Sequence, residues 1–296
     1  MITIGIVANR FKPRARPVIK NFVDLLREAE AQALYAAENA EFLKLTSADR
    51  TVPLAQLGEH SQVVVAFGGD GTLLSTACEV GASGVPILGV NLGGLGFLAE
   101  TKTDEIRETV QDLVNQHYTI IERMVLAVRV HVSGQIKNYW ALNDVVVDKG
   151  TSARLILIDA LVDGNYLNTY RSDGLIIATP TGSTAYSLSA GGPLLMPVMQ
   201  AILVTPICPH SLTVRPIVLS ERSVLSISTR GQDKPVQVNI DGQNRFVIRA
   251  GDWLEISKAD YSVRWVSSNK RDFFSILRTK LNWGFDLSMQ SNSAPA

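Results

Sequence analysis

A buried-strand pattern that runs directly into a glycine turn constrains the fold of this chain more than any other feature. Residues 63–67 (Val-Val-Val-Ala-Phe) are continuously apolar, which is typical of a strand covered on both faces. Residues 68–72 (Gly-Gly-Asp-Gly-Thr) form the turn, and the apolar spacing of residues 73–80 predicts a helix. Glycine lets a ligand approach backbone N–H groups, and a helix start favours an anion. This glycine–aspartate turn (residues 68–72) therefore predicts a phosphate site.

Asp70 is the exceptional residue of this turn, because a turn that only held phosphate would gain nothing from a carboxylate. The group is suited to accepting a proton, meeting a metal ion or accepting a hydrogen bond from a hydroxyl group. An Asp at this place also commonly caps the following helix. The sequence leaves these roles open.

Strands and helices alternate over residues 1–117, which predicts a Rossmann-like α/β domain with a parallel sheet. From residue 118 the segments are short, β-rich and separated by Gly, Asp, Asn or Ser, which predicts a mostly β domain over residues 118–269. We expect a helix over residues 270–285 that packs back on the first domain, and a flexible tail over residues 286–296. Further strands are expected over residues 2–8 and 85–90, and helices from Pro17 onward and over residues 104–114.

The charge balance and the cysteines exclude several classes of partner and site. Lys plus Arg and Asp plus Glu both number 28, so no global field favours nucleic acid or an anionic membrane. The sequence shows neither an apolar span nor the basic start of a signal peptide. Cys78 and Cys208 lack metal-site spacing and indicate free thiols in a reducing compartment. We therefore expect a cytoplasmic protein.

Two further stretches indicate ligand binding. Residues 91–98 (Asn-Leu-Gly-Gly-Leu-Gly-Phe-Leu) follow the next predicted strand, so both glycine turns are expected at one sheet edge, where open α/β sheets bind ligands. Residues 171–193 combine Gly, Pro and small hydroxyl residues with Tyr186, which indicates a backbone fitted around a ligand. The chain has no Gly-Lys pair and hence no P-loop, so we expect the glycine–aspartate turn to meet phosphate through backbone amides.

These motifs, with residues 143–145 (Asn-Asp-Val) and 206–212 (Pro-Ile-Cys-Pro-His-Ser-Leu), stand in the order and spacing found in NAD kinases. The chain resembles a bacterial-type NAD kinase over most of residues 63–243. The glycine–aspartate turn alone is similar to that of phosphofructokinases and lipid kinases. Lipid kinases, however, carry a Pro-Leu-Gly-Thr-Gly-Asn-type turn where this chain has Asn-Leu-Gly-Gly. Asp144 replaces the Glu of many members, and residues 11–60 match no motif.

The resemblance implies transfer of the γ-phosphoryl group of ATP to the 2′-hydroxyl of the adenosine ribose of NAD. It also implies Asp70 as the proton acceptor and a divalent cation, Mg²⁺ or Mn²⁺, on the triphosphate, without naming its protein ligands. A homodimer or homotetramer with a shared NAD site is expected on the same basis. The implied NAD-binding residues are Asp70, Gly71, Asn143, Asp144, Arg154, Arg171, Asp173, Thr184, Ala185, Tyr186, Ser187, Leu188, Ser189 and Gln243. The residues expected on the ATP side are Gly68, Gly69, Thr72, Asn91, Gly93 and Gly94.

The residue types on the NAD side suit that ligand. Asn143 is suited to ribose or adenine edges, Tyr186 to a ring and Asp173 to the carboxamide of nicotinamide. Arg154 and Arg171 are suited to phosphate or to the nicotinamide end.

Other functions fit parts of the pattern. A lipid or sugar kinase would share the glycine–aspartate turn, and a sensor of nicotinamide nucleotides would share the pocket without needing Asp70. His210 is an alternative catalytic residue, although a histidine between apolar segments is more often packed or hydrogen-bonded. The sequence leaves open NAD or NADH as acceptor, with Arg171 as a candidate for that choice. Polyphosphate as donor and feedback by NADPH are equally open.

Overall fold

The computed structural model describes residues 1–94, 96–231, 235–267 and 272–283. The strands are β1 (Thr3–Ala8), β2 (Gln32–Ala36), β3 (Thr51–Val52), β4 (Val63–Gly68), β5 (Ile87–Asn91), β6 (Thr119–Val132), β7 (Gln135–Ala141), β8 (Asp144–Asp148), β9 (Ile156–Val162), β10 (Asn165–Ser172), β11 (Gly174–Ala178), β12 (Ala201–Ile207), β13 (Ile217–Ser220), β14 (Leu225–Arg230), β15 (Val236–Ile240), β16 (Asn244–Ile248) and β17 (Trp253–Ser267). The α-helices are α1 (Ala15–Glu28), α2 (Ala40–Leu43), α3 (Asp70–Val80), α4 (Ile106–Val114), α5 (Tyr186–Ser189) and α6 (Phe273–Leu281).

The amino-terminal part is an α/β layer built on a parallel sheet. Strands β5, β4, β1, β2 and β3 lie side by side in that order, and each pair is parallel. Their continuous apolar runs are explained by burial on both faces, since every residue of β4 and β5 is buried. Helices α1 and α4 cover one face, where Phe22 packs edge-on against Phe67 with ring centroids 5.2 Å apart. The expected α/β domain with a parallel sheet is confirmed.

The carboxyl-terminal part is mostly antiparallel β, as expected. A second sheet runs in the order β13, β12, β11, β8, β15, β16, with all neighbours antiparallel. Its apolar face packs against β6, β9, β14 and β17 of the first sheet, and this contact forms the largest cluster of buried side chains among the described residues.

Strand β17 joins the two parts. It pairs antiparallel with β6 and β14, and it touches β5 in a parallel pairing of Trp265 with Ile87. Trp265 is 1% exposed, and its indole Nε1 donates a hydrogen bond of 3.3 Å to the carbonyl of Leu98, just beyond β5. The sheet therefore runs through both parts, and the boundary at residue 117 stays a prediction.

Element ends differ from the expectations for local reasons. Helix α1 begins at Ala15, so Pro17 lies within its first turn, where the missing N–H costs nothing. Helix α6 begins at Phe273, and the Asp272 side chain caps it by accepting the Ser275 N–H at 2.9 Å. Strand β7 is largely exposed and lacks an apolar alternation, so its sequence gave no signal. The expected tail over residues 286–296 lies outside the described residues.

Helix α6 contacts the loop that follows β5. The Lys280 ammonium lies 5.8 Å from the centroid of the Phe97 ring. Within the described residues, no helix has the length and apolar character needed to cross a membrane.

Replacing Trp265 by Ala tests the joint between the two parts. We expect the free energy of unfolding to fall by about 3–5 kcal/mol, because a buried indole is lost and a cavity remains. Urea unfolding followed by circular dichroism measures this. Trp140→Ala is the matched control, since Trp140 is 43% exposed and its loss should cost little. Equal destabilisation by both variants would contradict the role given to Trp265.

Candidate active site

The Asp70 carboxylate is anchored by backbone amides of the loop that follows the neighbouring strand. Its Oδ2 accepts the N–H of Phe97 at 2.9 Å, and its Oδ1 accepts those of Leu98 and Ala99 at 3.1 and 3.2 Å. Asp70 is the first residue of α3, and Gly69 at the N-cap position makes no side-chain cap. Asp70 therefore does not cap its own helix, and its carboxylate instead ties the end of β4 to the loop after β5.

Gly96 makes this arrangement possible. A Cβ atom at residue 96 would overlap the Asp70 carboxylate, so only glycine allows the close approach. In the same way, a Cβ atom at Gly182 would overlap the carbonyl group of Asn143. Both glycines are needed for contacts between segments that are distant in sequence.

The glycine–aspartate turn contributes to two cavities. The smaller has a volume of about 140 Å³, and Asp70 is the residue of the turn that lines it. Its other lining residues are Phe97, Leu98, Arg123, Asn143, Thr181, Thr184, Ala185, Pro197 and Phe273. The larger has a volume of about 610 Å³, within the usual range of ligand sites, and Gly69, Gly71 and Thr72 line it. Asp70 thus lines one cavity and its neighbours in the turn line the other. Gly71, expected on the NAD side, lies with Gly69 and Thr72, which were expected on the ATP side.

The expected ATP-side residues surround the larger cavity only in part. Gly69 and Thr72 line it, and Thr72 Oγ1 accepts a hydrogen bond of 2.9 Å from Asn9 Nδ2. Asn91 is buried, and its side chain serves its own turn: Nδ2 donates to the Gly94 carbonyl at 2.7 Å, and Oδ1 accepts the Gly93 N–H at 2.7 Å. The Asn91 side chain therefore shapes the second glycine turn. Gly68 is the last residue of β4 and lies against Thr72.

Asn143 and Asp144 are held in place by a second carboxylate that sequence reasoning did not include among the site residues. Asp241 accepts the N–H groups of Leu142, Asn143 and Asp144 at 2.7, 2.8 and 2.9 Å. Burial, followed by the negative charge of Asp241, raises the pKa of Asp144 from 3.8 to about 7, while the Tyr186 N–H lowers it in part. Burial also raises the pKa of Asp241, and its amide donors oppose that shift. The site thus contains a carboxyl group that titrates near neutral pH.

The hydroxyl groups of residues 171–193 are of two kinds. Some are buried and hydrogen-bonded within the protein, and others are accessible to a ligand. Ser187 is fully buried and hydrogen-bonded to the Thr205 hydroxyl at 2.9 Å, and Ser183 accepts the Leu195 N–H at 3.1 Å. Both hydroxyl groups therefore serve the structure of the protein itself: Ser187 joins the loop to β12 of the second sheet, and Ser183 joins two parts of the loop between β11 and β12. Thr184 lines the smaller cavity, and Ser189 is exposed.

The remaining NAD-side residues lie around an open surface of the β part. Asp173 forms an ion pair of 2.6 Å with Lys149, and Arg154, Arg171 and Gln243 are exposed. Tyr186 is also exposed. Burial of part of its ring raises the pKa of its hydroxyl, as do the negative charges of neighbours that include Asp148 and Asp173. Ala185 lines the smaller cavity, and Leu188 is half-buried in α5.

Sequence reasoning missed Arg123 as a site residue, and it placed Thr181 in the ligand-binding stretch of residues 171–193 without including it among the site residues. Arg123 is 4% exposed, and burial lowers its pKa while the charge of Glu100 opposes this. Within the described ranges, neither Arg123 Nε nor Thr181 Oγ1 has a hydrogen-bond partner, and both residues line the Asp70 cavity. Unpartnered buried polar atoms are uncommon, so two around one cavity indicate a polar ligand. Arg123 lies within an ordinary β pattern, which gave no signal.

His210 lines neither of the two cavities at the glycine–aspartate turn. It is exposed, and its link to the site runs through its backbone N–H, which donates to the Arg171 carbonyl at 3.0 Å. In the part of the chain that the structure describes, no group of three or more His, Cys, Asp or Glu side chains could hold a metal ion.

The Asp144 carboxyl should make stability depend on pH. The unfolded chain loses this proton near pH 4, whereas the native protein keeps it until about pH 7, so the native state binds more protons between these values. The free energy of unfolding therefore falls as the pH rises over that range. Asn does not titrate, so the free energy of unfolding of Asp144→Asn should not fall in this way. We expect its stability relative to the wild type to be about 2–3 kcal/mol higher at pH 8.5 than at pH 5, which corresponds to about two pKa units at 1.36 kcal/mol each.

Urea unfolding at the two pH values measures this gain. Asp24→Asn, on the exposed face of α1, is the control and should show no such change. A pH-independent difference between Asp144→Asn and wild type would contradict the shifted pKa.

Comparison with known proteins agrees with this arrangement. The model of the ATP-NAD kinase N-terminal domain matches residues 4–118, and that of the ATP-NAD kinase C-terminal domain matches residues 142–268. An NAD kinase of Geotalea daltonii is 42% identical over 285 residues, which cover 96% of this chain and 99% of that one. An NAD kinase of Geobacter sulfurreducens is 40% identical with the same coverage.

Solved structures show the same likeness. Yeast NADH kinase complexed with NADH superimposes with a TM-score of 0.88 at 27% identity, covering 97% of this chain and 89% of that one. An NAD kinase from Archaeoglobus fulgidus in complex with ATP shares the fold, with a TM-score of 0.76 at 23% identity and coverage of 95% and 99%. The chain belongs to the NAD kinase family, whose function is the ATP-dependent phosphorylation of NAD to NADP.

Proposed function

We propose that Asp70 accepts the proton of the adenosine 2′-hydroxyl of NAD while that oxygen attacks the γ-phosphorus of ATP. A ribose hydroxyl is a poor nucleophile, so a carboxylate beside it both orients the oxygen and removes the proton. The attacking oxygen forms a bond to phosphorus, the bond from phosphorus to the bridging oxygen of ADP breaks, and Asp70 takes the proton.

The observation that carries this proposal is the position of Asp70 between two cavities. Asp70 lines the smaller cavity with Asn143 and Thr184, whereas Gly69 and Gly71 line the larger one. NAD ribose on the first side and triphosphate on the second would bring acceptor and donor together across the turn. Oδ2 accepts one amide, so it keeps a lone pair for a hydroxyl group.

The backbone of the turn suits the triphosphate. The first N–H groups of α3 have no acceptor within the helix, because no helical residue precedes them. The positive end of the helix dipole lies at the same turn. Because phosphoryl transfer depends on position and charge more than on covalent work by the protein, such fixed donors lower the barrier directly.

A divalent cation, Mg²⁺ or Mn²⁺, is part of the proposal. Mg²⁺ is commonly bound by substrate phosphates and waters with few or no protein carboxylates, so the triphosphate itself would hold most of the cation. When bound, the cation would neutralise charge on the triphosphate. The chain's own part is to hold the Asp70 carboxylate in place as the base, through the amides of residues 97–99.

On the acceptor side we assign the dinucleotide to the surface that runs from the Asp70 cavity to Tyr186 and Asp173. The similar yeast enzyme is complexed with NADH, which supports a nicotinamide dinucleotide as ligand and keeps NADH as an acceptor beside NAD. Arg154, Arg171 and Gln243 would contact the outer part of the ligand. The positive charge of Arg171 would affect the choice between the charged nicotinamide of NAD and the uncharged one of NADH.

A homodimer or homotetramer fits the open side of this surface. Arg154, Arg171 and Gln243 are exposed, so a neighbouring subunit would complete the enclosure that a bound dinucleotide needs. We place the enzyme in the cytoplasm, in keeping with its free cysteines.

Asp70→Asn should fold and bind NAD but lose turnover. We expect kcat to fall by at least about 100-fold, the usual contribution of a positioned base, with the Kd for NAD within about threefold. A coupled assay for NADP and calorimetry with NAD measure the two quantities. Asp24→Asn on α1 is the control. A kcat within threefold of wild type would remove Asp70 from the base role.

Gly96→Ala should act through Asp70. The added methyl group would displace the carboxylate from the amides of Phe97 and Leu98, so we expect kcat to fall at least about tenfold. The double variant with Asp70→Asn decides the mechanism, since a residue that only positions Asp70 costs nothing more once the carboxylate is gone. Additive losses in the double variant would show that Gly96 acts independently of Asp70.

A further inference from the structure

Lys12 lies over both glycine turns of the sheet edge. Cβ atoms placed on Gly69 and on Gly93 would each lie 3.5 Å from the Lys12 Nζ atom. The ammonium group therefore sits between the backbone of the glycine–aspartate turn and that of the second glycine turn. Lys12 also lines the larger cavity, together with Gly69, Gly71 and Thr72.

The loop that carries Lys12 is fastened to the glycine–aspartate turn by Asn9. The Asn9 N–H donates to the Phe67 carbonyl at 2.9 Å, and its side-chain Nδ2 donates to Thr72 Oγ1 at 2.9 Å. Asn9 Oδ1 accepts the Phe11 N–H at 3.0 Å, and its carbonyl accepts the Lys12 N–H at 3.1 Å. These hydrogen bonds hold the backbone of Lys12 beside the glycine–aspartate turn, within reach of its side chain.

The charge of Lys12 is uncompensated. Across residues 1–94, 96–231, 235–267 and 272–283, its ammonium group forms no ion pair and no hydrogen bond. Glu38 is the acidic residue that lines the same cavity, and its two oxygens accept the Leu54 N–H at 3.1 and 3.0 Å. A half-buried cation without an anionic partner, close to the backbone of two glycine turns, is arranged for an anion with several oxygens.

We propose that Lys12 binds the β- and γ-phosphates of ATP and supplies the cation that the glycine–aspartate turn lacks. In a P-loop the lysine belongs to the glycine turn itself, whereas here it comes from the loop between β1 and α1. The proposal thus adds a lysine from another loop to the backbone amides through which this turn is expected to meet phosphate. This inference rests on the proposed function, since it deepens the ATP side of that site.

The test compares Lys12→Ala, Lys12→Arg and Lys20→Ala. Lys20 is an exposed lysine on α1 and serves as the matched control. KM for ATP and for NAD come from the NADP assay. Calorimetry with ATP and with adenosine as separate probes gives affinities that do not depend on turnover.

For Lys12→Ala we expect KM and Kd for ATP to rise at least about tenfold, with adenosine affinity and KM for NAD within about twofold of wild type. Lys12→Arg should stay within about threefold, because the charge is kept, and Lys20→Ala should match the wild type. Unchanged ATP constants in Lys12→Ala would overturn the proposal, as would an equal loss for adenosine, which would place Lys12 near the base instead of the phosphates.

Failure of this inference and failure of the proposed function give different results. The Kd for ATP, measured by calorimetry, tests the role of Lys12 even when no phosphoryl group is transferred. Conversely, an Asp70→Asn variant with full turnover would overturn the base role while leaving the ATP constants of Lys12→Ala unaffected.

Discussion

The hydrogen bonds between the Asp70 carboxylate and the amides of Phe97, Leu98 and Ala99 are the constraint on which the site depends. They join the turn after β4 to the loop after β5, so the two glycine turns are held as one unit. Gly96 makes room for the carboxylate, and Trp265 of β17 holds the Leu98 carbonyl on the other side. The Asp70 carboxylate is thus fixed by backbone groups, whose positions follow from the buried parallel sheet.

This unit separates two spaces with different chemistry. On one side, Asp70 shares a cavity with Asn143 and with the unpartnered polar atoms of Arg123 and Thr181. On the other side, amides of the same turn face a larger cavity. A reaction that moves a phosphoryl group from one nucleotide to another needs such an arrangement, since donor and acceptor must meet in line while their remaining parts stay apart. The turn after β4 contributes to both spaces, and the loop after β5 contributes to the smaller one.

The local patterns of the sequence predicted the α/β and β parts, the glycine–aspartate turn and the candidate residues around it, because strand burial and glycine turns are written in neighbouring residues. Contacts between distant segments could not be predicted in this way. The binding of Asp241 to the amides of residues 142–144 and the position of Lys12 depend on how loops meet after folding. Burial of a single hydroxyl group could not be predicted either. The Ser187 hydroxyl lies in a stretch that indicates ligand binding, but it is buried and hydrogen-bonded to Thr205.

The most direct test of the central claim is a crystal structure of the enzyme with NAD and a non-hydrolysable ATP analogue bound together. We expect the adenosine 2′-oxygen to lie within about 2.6–3.2 Å of an Asp70 carboxylate oxygen. We expect the triphosphate to lie on the other side of the turn, in the larger cavity. Both nucleotides on the same side of the glycine–aspartate turn, or a 2′-oxygen remote from Asp70, would contradict the central claim.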